Sequence, residues 1–584
     1  MAERFNRTLK DKLWRYFTRT SSVRYVEVLA KLVRGYNHSY HRSIKKAPAD
    51  VTIANQEEVW QRNSSLQHYP DNNASHYYTK LPQTIDLGTD YECGLAEIQF
   101  NNSHNSRATW RTCKETYKII YTTPPRSDWE AEEEEKEGDS SRYFWISIMA
   151  LAHPQSCESV HTGLDLFSVP PTQTAVQEGM FVEYHPLATL APGAPIEFTI
   201  SGATSEYLDL SNTYLHVRAK ITKADGTNLD ADSHVAPVNY WLHSLFSQVD
   251  ISLNDTLVTN SENTYPYRAY LEATLNYGRE AKKSHLTSAM YYRDSSNHLD
   301  ETDGDANWGL KVRREQTMRS READMMGRLH ADIMHQERYM MNGVDVKIRL
   351  IPSKNIFHLM SPDPFQGFRT VITHASLFVR KVKLNPAVSL AHAKALEKGT
   401  AKYPLKRVVV KTFSIPTGNH SAVQDNLFLS QTPNRLVIGL VDSAAFNGQA
   451  SRNPYHFKTQ GLSFLSLYLD GKQIPGKPLT PNFEQHQYVR SFFSLMTSTG
   501  LANRDAGSYM ELRDFELGYA IYSFDLSPSL LDGDQFELVK SGALRLELKF
   551  NQALPAPVMV IVYGEMDSMI EIDRSRQVLT DFAL

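Results

Sequence analysis

The sequence predicts a mainly β protein in which two β-sandwiches follow one another through the chain's C-terminal portion. Two observations predict it. From about residue 160 onward, short runs alternate apolar and polar residues with period two and stop at turn-forming pairs. Helical periodicity is scarce there: Tyr267–Asn276 and Pro386–Glu397 are the best candidates. The second of these lies near the midpoint of the β region, where a connector between two sandwiches would sit.

The runs are explicit. Leu215, Val217, Ala219 and Ile221 alternate with His216, Arg218, Lys220 and Thr222 and stop at Asp225-Gly226, which reads as a hairpin turn. Val249, Ile251 and Leu253 alternate before Asn254-Asp255. After Asn342-Gly343, Val344, Val346, Ile348 and Leu350 alternate with Asp345, Lys347 and Arg349. Leu462–Leu469 runs into Asp470-Gly471, and Leu544, Leu546, Leu548 and Phe550 alternate with Arg545, Glu547 and Lys549.

The 584 residues exceed what one compact core holds, so several domains are expected. The 30 Tyr and 25 Phe suit strand-rich structure. A net charge of -4 excludes nucleic-acid binding driven by overall charge. Three cysteines, Cys93, Cys113 and Cys157, are too few for a disulfide scaffold and fit a reducing compartment. The opening segment has no apolar core, so no secretory signal is expected, and the apolar run Tyr143–Ala152 is too short to span a bilayer. The expectation is a soluble intracellular protein with no membrane partner.

Charge is uneven along the chain. Residues 1–46 hold twelve Lys and Arg, among them Arg4, Arg7, Lys10, Lys12 and Arg15, against Glu3, Asp11 and Glu27. Apolar residues at Phe5, Leu9, Leu13, Tyr16 and Phe17, then at Val26, Leu29, Leu32 and Val33, predict two basic amphipathic helices that end before Pro48. Residues 49–126 are rich in Ser, Asn and Tyr, with a short β-like segment at Tyr91–Phe100. The acidic run Glu130–Glu137 reads as a solvated linker. The expected segments are therefore 1–55, 60–126, a linker at 127–160, and β domains at 161–390 and 391–584.

Three resemblances follow. The opening, from Glu3, Arg4 and Phe5 through Asn6, Arg7, Thr8, Leu9 and Lys10 to Trp14, Arg15 and Tyr16, resembles the last helical region of a DDE integrase core. Tyr36, Asn37, His41, Ala47 and Pro48 look like that core's end. Glu3 would be the third catalytic acid, with Asn6 and Lys10 on the same helical face. Such enzymes hold two metal ions between three carboxylates, and the two aspartate partners lie upstream of the glutamate. Only Met1 and Ala2 precede Glu3 here. The expectation is an inactive remnant, no enzyme, with Arg4, Arg7, Lys10, Lys12 and Arg15 available to DNA phosphates.

The region from about residue 160 to the end resembles the major capsid protein of Polinton (Maverick) elements. The resemblance is carried by Gly163, Leu164, Asp165, Leu166, Phe167, Ser168, Val169, Pro170, Pro171 and Thr172. It continues at Tyr207–Thr213, at His243–Val249 and from Asn263 through Tyr265, Pro266, Tyr267, Arg268, Tyr270 and Leu271 to Glu272. It implies a double jelly roll, homotrimeric capsomers with a pseudo-hexagonal outline, a capsid lattice and a virion location. Residues 65–102, with Tyr69, Pro70, Asp71, Lys80, Leu81, Pro82 and Glu97–Phe100, look like the start of another Polinton structural protein. The predicted fold is thus mainly β, a double jelly roll, preceded by a helical integrase remnant and a poorly structured middle segment. The alternative function is a DNA integration protein acting through the N-terminal segment.

Other motifs read as structural. Gly471, Lys472, Gly476 and Lys477 nearly form a phosphate loop, but Pro478 replaces the required Ser or Thr and Pro475 forbids a helix start, so a hairpin is expected. His153, Cys157 and His161 are spaced four apart, yet Pro154 argues for linker. His358, His374 and the remaining histidines show no ligand spacing. Arg313, Arg314, Arg319 and Arg321 are read as a basic cluster on a long loop at 279–330, solvated or in contact with a neighbouring subunit or DNA. No cofactor and no metal are expected.

Overall fold

The computed structural model describes residues 162–581 apart from short breaks at 203–204, 260–261, 304, 363–366, 429–430 and 531–534, together with four strands between residues 85 and 122 and the single positions 38, 47 and 50. The chain divides into two compact units, one reaching Pro170 and one starting at Pro171. In the first, β1 (Ile85–Leu87), β2 (Glu97–Asn101), β3 (Arg107–Cys113) and β4 (Thr116–Thr122) form an antiparallel meander in sequence order. The sequence led us to expect one short segment here. The Thr, Trp, Ile and Tyr of β3 and β4 supply the β propensity that the Ser- and Asn-rich composition obscures. The expected basic helices and the acidic linker lie outside the described residues.

The second unit is built from one pattern used twice. Its first half contains β5 (Val176–Tyr184), β6 (Ile196–Ile200), β7 (Tyr207–Thr222), β8 (Phe246–Leu253), β9 (Thr256–Leu257), β10 (Ala323–Arg328), β11 (Val346–Pro352) and β12 (Arg369–Leu384). They form two four-stranded sheets, ordered β5-β12-β7-β10 and β6-β11-β8-β9. The second half contains β13 (Ala401–Ile415), β14 (Ser421–Gln424), β15 (Arg435–Asp442), β16 (Leu462–Leu469), β17 (Lys472–Leu479), β18 (Ile521–Asp525), β19 (Leu544–Phe550) and β20 (Val558–Ile572). Its sheets are β13-β20-β15-β18 and β14-β19-β16-β17, the same order with every number raised by eight. β21 (Val578–Thr580) adds to the end of β20. Two four-stranded antiparallel sheets interleaved in this Greek-key order make a jelly roll, so the chain carries a double jelly roll, as the sequence led us to expect.

The alternation becomes the inner faces of these sandwiches. Leu215, Val217, Ala219 and Ile221 of β7 are fully buried, as are Leu544, Leu546, Leu548 and Phe550 of β19. A one-residue slip would turn each set outward, which fixes register. Asn254 and Asp255 both take left-handed backbone angles, as do Asp470 and Gly471, so β8–β9 and β16–β17 are two-residue hairpins. Gly471–Pro478 therefore runs into a strand, as the hairpin reading expects. Asp225-Gly226 departs from expectation. A turn forms there, closed by Lys223 N–H donating to Thr227 O and by a bridge between Thr222 and Asn228. The ladder partners of β7, however, are β12 and β10. In a jelly roll, consecutive strands commonly cross to the opposite sheet, so such a turn need not return its strand to a neighbour.

Helices occupy the connections. α1 (Trp241–Ser244) lies between β7 and β8, and α2 (Tyr265–Asn276), α3 (Arg279–Lys283) and α4 (Trp308–Thr317) lie between β9 and β10. α5 (Asn355–His358) precedes β12, and α6 (Pro386–Leu396) joins the two jelly rolls. α7 (Ser443–Asn447) lies between β15 and β16, while α8 (Val489–Ser498) and α9 (Leu512–Glu516) lie between β17 and β18. Both sandwiches thus carry their long insertions at equivalent points. α2 and α6 match the two helices expected from sequence. Pro386 at the first turn and the Asn385 side chain accepting from Ala387 N–H start α6.

The β9–β10 insertion is not a free loop. Tyr270 stacks on Tyr455 of the second jelly roll with centroids 4.1 Å apart and planes 2° from parallel, and Tyr267 stacks on Phe446 at 5.4 Å. Arg313 corrects the basic-cluster reading. It is fully buried on α4, pairs with Asp294 at 2.6 Å and donates to Pro237 O and Tyr292 O. Helix α4 aims it inward, whereas Arg319 and Arg321 remain exposed. The Tyr270 hydroxyl is buried without a hydrogen-bond partner. Tyr270→Phe should therefore leave stability unchanged or raise it, while Tyr270→Ala should cost about 3–5 kcal/mol. Urea titration of the two variants checks this, and equal losses would refute the stacking account.

Candidate assembly surface and polar seam

The residues expected to act on DNA or to retain an integrase site, namely Glu3, Asn6 and Lys10 with Arg4, Arg7, Lys12 and Arg15, lie outside the described residues. So do His153, Cys157 and His161. Within the described residues, two features stand out: surface that lacks an intramolecular cover, and a polar network between the jelly rolls.

The uncovered surface begins at β5. This edge strand pairs only with β12, and residues 177–181 are exposed on both faces of the strand. Met180 and Phe181 are among them, 41% and 55% exposed. On the second jelly roll, Val489 and Phe493 stand one turn apart on α8, each about half exposed. Phe536, Leu538 and Val539 project from the β18–β19 connection. Exposed edges and apolar patches of this kind are surfaces on which another chain can dock. Leu164, Leu166, Phe167 and Val169, in the unit that ends at Pro170, are also exposed, Phe167 almost completely. These are residues that carry the capsid-protein resemblance.

The seam is built from residues far apart in sequence. Arg268 and Glu272, one turn apart on α2, pair at 2.9 Å, and Arg268 also holds Asp332 at 2.6 Å. Asp332 accepts from the backbone N–H of Val408 on β13, which ties the first jelly roll to the second. Burial alone would raise the Glu272 carboxyl, but Arg268 and His330 hold it far below the usual carboxylate range. Burial dominates at Asp332 and moves it upward despite Arg268. Nearer the surface, Asp300 meets His456 at 2.8 Å and Lys458 at 3.0 Å. Burial opposes its charge, yet these partners keep its carboxyl well below the ordinary value. Asp514 likewise pairs with Arg293 across the seam.

Sequence reasoning missed this network because its partners lie far apart in the chain and nothing local marks them as buried. The Arg268/Glu272 spacing on a helix that is otherwise apolar was the one available signal. His358, read from sequence as an ordinary surface or core residue, is in the core: it is buried and its Nε2 lies 2.9 Å from Thr370 Oγ1. Burial pushes it down to about 3. No described helix is long and apolar enough to cross a membrane.

No family model matches the chain. It is 28% identical over 425 residues to an uncharacterized protein of Caenorhabditis elegans, covering 71% of this chain and 99% of that one. It is 49% identical over 51 residues to an uncharacterized transposon-derived protein of the same nematode, covering 9% of this chain and 18% of that one. Among solved structures, a chain from the 3.5 Å cryo-EM structure of the Sputnik virophage matches with a TM-score of 0.50 and 11% identity, covering 74% of this chain and 93% of that chain.

The state of His358 makes a pH prediction. Its folded value lies below its unfolded value of 6.5, so the unfolded chain binds the proton first and stability falls as pH drops below that value. Between about pH 7.5 and about pH 5 the wild-type chain should lose about 2 kcal/mol more than His358→Gln. Denaturant melts of both proteins across that range measure the difference, and parallel profiles would show that His358 is not held neutral.

Proposed function

We propose that this chain is the capsid subunit of a Polinton-like virus or transposable element, acting as a homotrimer that builds a capsid lattice. The observation that carries the reading is the duplicated strand order. Three copies of a chain with two like sandwiches bring six of them around one axis, which gives a near-hexagonal outline suited to tiling. The uncovered β5 strand, the apolar turn of α8 and the Phe536–Val539 patch supply surface for such contacts. The similarity to a chain of a virophage particle is consistent with the reading, and so is the sequence resemblance from residue 160 onward. The long β9–β10 insertion adds no support of its own, because its partners lie within the chain.

A second activity rests on the N-terminal segment. The reading of residues 1–55 as an integrase-core remnant rests on the sequence resemblance from Glu3 to Tyr16. The surplus of nine positive charges over residues 1–46, twelve basic against three acidic, would attract DNA weakly and without sequence preference. We assign no catalysis to it, and the capsid would be the protein's location when assembled.

Sedimentation of the full chain at micromolar concentration should give a three-chain species, and electron microscopy should resolve six-lobed particles. A double change of Met180 and Phe181 to Asp should shift the protein to monomer without altering its far-UV circular dichroism. Monomer alone at all concentrations in the unmodified chain would sink the capsid reading. Strand-transfer assays with Mg²⁺ or Mn²⁺ should be blank for both wild type and Glu3→Gln. Activity that vanishes in Glu3→Gln would establish the integration protein instead.

A further inference from the structure

Glu272 on α2 faces two histidines that flank a short turn after β10. Its Oε2 lies 2.6 Å from His330 Nδ1 and 3.6 Å from His335 Nε2. One ligand-type atom from each of the three residues lies within 4.8 Å of the others. We propose that Glu272, His330 and His335 form a binding site for a divalent transition-metal ion of the zinc class, set against the seam between the two jelly rolls.

The donor set fits that class. Two imidazole nitrogens and one carboxylate oxygen are borderline ligands, and three of them leave a fourth position for water. Bonds of about 2.0–2.2 Å in a tetrahedron place ligand atoms roughly 3.3 Å apart. The His335–Glu272 separation is already close to this. The shorter His330–Glu272 contact is a hydrogen bond, and an ion would replace its proton while those two atoms part by less than about 1 Å. Both ligands have partners that orient them: Arg268 Nε holds the other oxygen of Glu272 at 2.9 Å, and the Tyr240 hydroxyl lies 2.8 Å from His330 Nε2. The Tyr563 hydroxyl of the second jelly roll also approaches Glu272, at 3.5 Å.

Access agrees. Arg268 pairs with both Glu272 and Asp332, and Arg407 and Arg328 also act on Asp332 and His335, so the donor geometry and not a charge surplus carries the site. Glu272 and His330 are buried, but the His335 side chain is 38% exposed, which opens a route from solvent. Because Asp332 is held by Val408 N–H and Glu272 by Tyr563, an ion here would brace both jelly rolls at once.

The test uses the full chain stripped with chelator and then titrated with Zn²⁺ and Co²⁺. One ion per chain should bind, with the intense visible bands of low-coordinate Co²⁺ and a melting temperature that rises with Zn²⁺ concentration. His335→Ala removes the exposed ligand without opening the core. It should weaken binding by about tenfold or more and abolish the Co²⁺ bands, while its melting temperature in chelator matches wild type. His216→Ala serves as a control at a half-buried histidine on β7, elsewhere on the first jelly roll, and should bind like wild type. No bound ion, binding unchanged in His335→Ala, or binding lost in His216→Ala instead would each overturn the proposal.

Discussion

The pairing of Arg313 with Asp294 is the interaction on which the arrangement of the two jelly rolls depends. Both side chains are wholly buried, and a charge placed there without partners would cost several kcal/mol. The partners are drawn from both halves of the chain. Arg313 is held by Pro237 O, Tyr292 O and Asp294, all from the first half. Asp294 in turn accepts from Asn453 Nδ2 at 3.0 Å, and its backbone oxygen accepts from the Tyr519 hydroxyl at 2.8 Å. Asn453 and Tyr519 belong to the second half. Withdrawing the second jelly roll would strip hydrogen bonds from a buried carboxylate, so the two sandwiches cannot separate cheaply.

The apolar seam adds to this polar anchor. One hydrophobic core runs from the inner faces of the first sandwich through α2 into Val408, Val410, Ile561 and Tyr563 of the second. A separate core fills the second sandwich itself. Stacking of Tyr270 on Tyr455 and of Tyr267 on Phe446 gives the seam area, and the buried charges give it a single orientation. Shape alone would allow aromatic faces to slide, whereas each charged group has one set of partners it can meet.

How much of this was legible in the sequence follows from what each feature depends on. The strand faces and hairpins depend on neighbours in the chain, and Leu215–Ile221, Asn254-Asp255 and Asp470-Gly471 declared themselves. Strand order depends on distant pairing, such as β7 with β12, which no local pattern encodes; there the family resemblance supplied what periodicity could not. Residues 279–330 read as a loop because their helices, α3 of five residues and α4 of ten, are too short to set up a clear helical stripe, whereas α2 was legible. Arg313 read as surface charge because a buried arginine differs from an exposed one only in its partners. The same reason hid Glu272, His330 and Asp332, which lie up to 60 positions apart in sequence, as 332 less 272 shows.

The connector explains why the seam can be so polar. α6 is exposed along most of its length and buries only Leu396, so it contributes little to the cores it joins. Its effect is to keep the sandwiches tethered, which makes their association intramolecular and raises its effective concentration to about the millimolar range or above. An association helped in this way can accept buried ion pairs that cost more to desolvate than a greasy interface would. Contacts between separate chains have no such help and need apolar area, which is what β5, α8 and the Phe536–Val539 patch expose. A polar, specific seam within the chain and uncovered apolar patches on its outside are thus two answers to the same entropy problem, divided according to whether a covalent link is present.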